Sequence, residues 1–253
     1  MLRSFKRLQG SRIIALDSQI GKVCDLYFDD LEWVVRYLVI DTGVWLPGRK
    51  VLIPPQAVDS IDDTLHAVSV SLTRERIEGS PNVDTDKPVS RLHDSEISRY
   101  YGYSASWGQT MNWGRGPMPP AAAPGASDLL ELQERRLTDT LSSESHLRSA
   151  REVAGYGVKA IDDSVGHARD FLLDDETWAL RYLVVETRKW IFGRRILLRQ
   201  SRVHRVDWAA RCVEVSQMRE QVEHGREFDP DNPPLGDIET ALKRAADHHL
   251  TEH

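Results

Sequence analysis

Apolar positions in this chain come in short, dense runs separated by acidic or glycine-containing breaks, a pattern that predicts strands and few long helices. Residues 23–28 (VCDLYF) and 168–173 (ARDFLL) are largely apolar, and each run leads into an Asp-Asp pair. Asp29-Asp30-Leu31-Glu32 and Asp174-Asp175-Glu176-Thr177 read as turns, because an aspartate carboxylate bonds nearby backbone N–H groups. Two runs follow, WVVRYLVID at 33–41 and WALRYLVVE at 178–186, rich in β-branched and aromatic residues. Such near-continuous runs predict strands buried on both faces. Past turns at Gly48 and Gly193 come strands at 50–53 and 195–198, then short ones marked by Val58 and Ile61, and by Val203 and Val206. Residues 66–72 alternate, with Val68, Val70 and Leu72 on one face. Short strands with turns at regular spacing indicate a small antiparallel barrel or sandwich.

Helices are confined to the flanks. Residues 73–78 suit a single turn. Residues 90–101 suit a short helix, with Gly102 fitted to the position past its end. Ser127 can cap a helix containing Leu129, Leu130, Leu132 and Leu137. Residues 237–249 place Ile238, Leu242 and Ala245 on one face.

The chain is one unit written twice. Gly21, Asp25, Asp29, Asp30 and Trp33 recur 145 residues later as Gly166, Asp170, Asp174, Asp175 and Trp178. Arg36-Tyr37-Leu38-Val39 recurs as Arg181-Tyr182-Leu183-Val184, and Trp45, Gly48 and Arg49 recur as Trp190, Gly193 and Arg194. The register needs no gap from Gly10 and Gly155 to Pro88 and Pro233. That spacing far exceeds the roughly 20–50 residues of a solenoid repeat, so each copy is a small domain. A unit of this size buries only about 60% of its unfolded surface. Two fused copies are therefore expected to share a face about a pseudo-two-fold axis.

Residues 102–126 hold five Gly, four Pro and a single charged residue, Arg115, and read as a linker. The expected division is 1–101 for the first barrel with its helix, 102–126 for the linker, and 127–253 for a leading helix, the second barrel and a last helix. Trp107 and Trp113 in the linker are candidates either for pinning it to a domain or for docking a partner.

The chain has 253 residues and a formal net charge of -6, which does not suggest a protein that reads nucleic acid by charge alone. No run of about 18 apolar residues occurs, so no membrane-spanning helix is expected. Cys24 and Cys212 lie far apart and outside any C-x-x-C, so neither a disulfide framework nor a cysteine zinc site is expected. A reducing cytoplasm is the expected compartment.

No catalytic, cofactor or metal site is expected. The Asp-Asp pairs are adjacent on the chain and suit turns better than converging acid/base roles. His248, His249 and His253 lie near the end of the sequence without metal-ligand spacing. There is no G-x-S-x-G, G-x-G-x-x-G or P-loop sequence. The repeated Trp-x-x-Gly-Arg, carrying Trp45 and Arg49 in one copy and Trp190 and Arg194 in the other, is the best binding candidate, since Trp and Arg dominate interface hot spots. Arg36 and Arg181 interrupt apolar strands and need acidic partners, with Asp25 and Asp170 as candidates.

The run G-K-V-x-D-L-x-x-D-D-x-x-W-x-x-R-Y-L-V-I-D-T-G-x-W-L-P-G-R-K-V-L-I-P, from Gly21 to Pro54, resembles the PRC-barrel domain, and the second copy resembles it independently. That family takes its name from the cytoplasmic part of the photosynthetic reaction-centre H subunit, and a related barrel occurs in a bacterial ribosome-maturation factor. The resemblance implies a mainly β fold of two small antiparallel PRC-type β-barrels related by internal repeat, with short flanking helices. It implies a docking or assembly module and supplies no catalytic residues. Three roles follow: a non-enzymatic interaction or scaffold protein with an unknown protein partner; an assembly or electron-transfer accessory beside a photosynthetic membrane complex; or a ribosome or RNA-processing adaptor. Direct nucleic-acid contact is not expected, the copies are expected to pack as a pseudo-dimer, and a homo-oligomer stays open.

Overall fold

Each copy starts with a three-residue strand that the apolar pattern does not reveal. The computed structural model describes residues 1–43, 46, 48–81, 96–97, 99–102, 147–187 and 193–230. The first copy runs β1 (Leu2–Ser4), a helical turn (Phe5–Leu8), β2 (Arg12–Ile14), β3 (Gln19–Asp29), β4 (Val34–Asp41), β5 (Lys50–Ile53), β6 (Val58–Asp62), β7 (Ala67–Val70) and a helix (Arg74–Glu78). The second runs β8 (Leu147–Ser149), a helical turn (Ala150–Val153), β9 (Gly157–Lys159), β10 (Ser164–Asp174), β11 (Leu180–Thr187), β12 (Arg195–Arg199), β13 (Val203–Asp207), β14 (Cys212–Val215), a helix (Arg219–Glu223) and β15 (Arg226–Glu227). Apart from β15, the elements of the two copies match within a residue at the 145-residue spacing of the sequence repeat.

The fold is mainly β, as the sequence implies, in two sheets. The first follows the order β5-β4-β3-β2-β7-β6, and the second β13-β14-β9-β10-β11-β12-β15. One detail corrects an all-antiparallel expectation. β2 pairs with β7 in parallel, Arg12 opposite Ala67, and β9 pairs with β14 in parallel, Cys212 opposite Gly157. Alternation of apolar residues fixes which face is buried but not the direction of the neighbouring strand.

The run at 33–41 is covered on both sides. Val35, Tyr37, Leu38, Val39 and Ile40 are each at most 3% exposed, although successive residues face opposite sides of the sheet. Gly21 and Gly166 let β3 approach β4, and β10 approach β11, more closely than a side chain would permit. A Cβ on Gly21 would overlap the carbonyl oxygen of Asp41, and one on Gly166 that of Glu186. Gly166→Ala is expected to lower unfolding free energy by about 1–3 kcal/mol, measured by urea denaturation. A neutral result would show that the two strands separate freely.

The expected helix at 90–101 is described in part: Glu96, Ile97 and residues 99–101 are helical, and Gly102 follows at φ +79°. The expected helices after Ser127 and over 237–249 lie outside the described residues. Met1–Gly79 and the chain from His146 on form one unit, which holds both copies, while Ser80–Ser145 form another.

Candidate functional site

The residues that repeat most faithfully converge on the seam between the two copies. β1 does not pair within its own copy. It adds to β10 of the second, Leu2 opposite Asp174 and Ser4 opposite Leu172. β8 returns the exchange by adding to β3, Leu147 opposite Asp29 and Ser149 opposite Tyr27. The copies therefore swap their leading strands, and the shared face expected from their size takes this form.

Asp25 and Asp170 hold the exchanged segments. Each follows a β-bulge, between Val23 and Asp25 and between Ala168 and Asp170, that redirects the chain locally. Ser149 Oγ donates to Asp25 Oδ2 at 2.5 Å, and the N–H groups of Arg151 and Leu26 donate to Oδ1 at 2.9 and 2.7 Å. In mirror fashion Ser4 Oγ donates to Asp170 Oδ2 at 2.5 Å, while the N–H groups of Lys6 and Phe171 donate to Oδ1 at 3.1 and 2.8 Å. Both carboxylates are 5% exposed. Burial pushes both above the ordinary aspartate value, against the pull of the seryl and backbone donors.

The Asp-Asp-x-x-Trp turns complete the joint. Asp29 Oδ1 accepts the N–H groups of Leu31 and Glu32, the turn role expected of it. Asp30 takes Arg148 Nε at 2.7 Å, and Asp175 takes Arg3 Nε at 2.6 Å, so the second carboxylate of each pair clamps the other copy's leading strand. Arg3 also reaches Asp63. Its counterpart Arg148 instead lies 5.4 Å over the ring of Trp208, which occupies the position equivalent to Asp63. Trp33 and Trp178 sit at φ +56° and +57°, a left-handed conformation rare for a bulky residue. Their carbonyls accept the N–H groups of Leu180 and Val35 across the seam at 2.7 and 2.9 Å. The Trp33 ring meets Phe28 at 5.5 Å and Phe171 at 6.4 Å, and Phe28 meets Phe171 at 5.5 Å.

Arg36 and Arg181 do not reach Asp25 and Asp170, contrary to expectation. Arg36 pairs with Glu32 at 2.5 Å and Arg181 with Asp174 at 3.3 Å, each strand arginine reaching an acid of the turn that precedes its own strand. The seryl and backbone donors already occupy Asp25 and Asp170. Of the candidate binding residues, Arg49 donates to the Glu78 carbonyl at 2.9 Å, and Arg194 pairs with Glu227 at 2.9 Å. Each thus ties the chain just before β5 or β12 to a later segment of the same copy. Trp45, Trp190, Trp107 and Trp113 lie outside the described residues.

Burial pushes the thiols of Cys24 and Cys212 upward, which disfavours the thiolate. Burial and the bond from Tyr156 Oη to Glu152 push that phenol up to about 12. Arg3, Ser4, Arg148 and Ser149 carry no warning in composition or periodicity. The signal was present nonetheless: Leu-Arg-Ser stands at 2–4 and again at 147–149, in the repeat frame.

Two mainly β copies joined by exchanged strands define the class of protein. Residues 2–72 match the family model of the PRC-barrel domain, and the chain carries such a domain there. No curated protein matches the chain.

Proposed function

We propose that this protein is a non-enzymatic, cytoplasmic interaction or scaffold module in which two PRC-type copies act as one platform. The seam carries this reading. Its buried carboxylates, clamping arginines and left-handed tryptophans are all engaged in joining the copies, and Asp25 and Asp170 accept three donors each. The outer strands β6 and β13, with exposed residues along them, are left as surface that can differ between copies and meet a partner. Trp45 and Trp190 stand four residues before Arg49 and Arg194 in the sequence, and with Trp107 and Trp113 they form the proposed contact set. No helix among the described residues is long and apolar enough to cross a membrane.

Affinity capture of the tagged full chain from native lysate, with quantitative mass spectrometry, tests this. A defined protein should be recovered in near-stoichiometric amount and be depleted by the Trp45→Ala, Trp190→Ala double variant. Background proteins alone, or recovery that ignores the double variant, would refute the reading.

A further inference from the structure

Arginine gathers on one stretch of the second copy. Residues 194–205 read RRILLRQSRVHR, with five arginines and no carboxylate, whereas the equivalent 49–60 read RKVLIPPQAVDS, with Arg49, Lys50 and Asp59. Arg199, Arg202 and His204 stand where the first copy has Pro54, Ala57 and Asp59. Both copies form the same strand, short helical turn and strand here: β5, Pro55–Ala57 and β6, or β12, Gln200–Arg202 and β13. The fold therefore does not require the arginines.

Pairing separates these side chains into two groups. Arg194 is held by Glu227, and Arg205 by Glu214 at 2.8 Å. Arg195, Arg199 and Arg202 have no carboxylate partner among the described residues, and Arg199, Arg202 and His204 are exposed. Arg195 and Arg199 flank Leu197 on one face of β12, about 13 Å apart along the strand. Unpaired like charges at this density repel one another, a cost that an anionic ligand would remove.

We propose that β12 and the turn after it form a docking face for an extended acidic protein segment. This deepens the interaction reading above and rests on it. Alternate residues of an extended peptide share one side at about 6.6 Å spacing, so carboxylates there can meet both Arg195 and Arg199. Single-stranded RNA fits less well, because it needs exposed rings to stack on. Beside this face Tyr182 and Phe228 are only 8% and 4% exposed, which leaves the His204 imidazole as its exposed ring, too little for the successive stacking a strand uses. A long polyanion or an anionic membrane would also meet the rest of a chain whose net charge is -6. A short segment feels mainly what lies within the Debye length of about 8 Å.

Fluorescence anisotropy of the full chain decides it, with a labelled alternating Glu-Ser peptide, its Gln-Ser analogue, oligouridylate, and phosphatidylserine vesicles as probes. The Glu-Ser peptide should bind in preference to the other three. The Arg199→Glu, Arg202→Glu variant should weaken it roughly tenfold. Arg74→Glu, Arg76→Glu, an equal charge change on the first copy, should leave it unchanged. No peptide binding, equal loss in both variants, or preference for RNA or vesicles overturns the proposal. A partner still captured from lysate in that event leaves the broader scaffold reading standing, whereas capture of background alone removes that reading whatever the peptide does.

Discussion

Asp25→Ala is expected to lower the unfolding free energy by about 2–4 kcal/mol, while Asp25→Asn should match or exceed the wild type at pH 7. The Ala variant strands three donors at a buried site, the Ser149 hydroxyl and the N–H groups of Arg151 and Leu26. Asparagine can keep all three contacts: its Oδ1 accepts the two N–H groups, and its amide donates to a rotated Ser149 hydroxyl. It also removes the burial penalty on a charge. Burial raises the pKa of Asp25 and of Asp170 in the folded state. Folding thus tightens proton binding at both sites, so their stabilising contribution is complete below the ordinary aspartate value and is lost as pH rises through the raised one. Glu214 and Glu227 behave oppositely. Bonds from Arg205 and Arg194 lower them, and their contribution is lost as pH falls. The stability of Asp25→Asn relative to wild type should therefore be greatest at neutral pH and shrink toward about pH 4. Urea titrations across that range check it, and a pH-independent difference would show that burial does not govern Asp25.

Much of the architecture was legible in the chain. The tandem frame, the strands at 33–41 and 178–186, the turn role of Asp29 and the single helical turn after 73 all follow from local pattern. What escaped is non-local or very short. β1 and β8 have three residues each, below the length at which alternation can be read. The exchange is invisible to periodicity, because Leu2 would bury equally well against its own copy or the other. Asp25 is too distant an acid for Arg36: Glu32, four residues back, lies nearer, and the Asp25 carboxylate is already occupied by Ser149, Arg151 and Leu26. The charge of -6 described the whole molecule and concealed RRILLRQSRVHR, a local concentration that the copy-to-copy comparison exposes at once.

The strand exchange predicts that damage to the first few residues will be felt in the other copy. Phe5 is 1% exposed, and its helical turn packs on β10 of the second copy. The equivalent position on the other exchanged segment is Ala150, so the segment lent by the first copy carries the larger anchor. Phe5→Ala is expected to cost about 3–5 kcal/mol, a large share of the 5–15 kcal/mol that stabilises a typical domain. Hydrogen exchange gives the loss an address. β1 supplies the partner strand for Leu172, Leu173 and Asp174, and Ser4 on that strand holds Asp170. Amides of β10 should therefore lose protection before those of β3, although β3 lies far closer to residue 5 in sequence. Were each copy to keep its own leading strand, β3 would open first. A gain in exchange confined to the first copy would thus break the exchanged arrangement, whereas early opening of β10 would tie the stability of each half to a strand borrowed from the other.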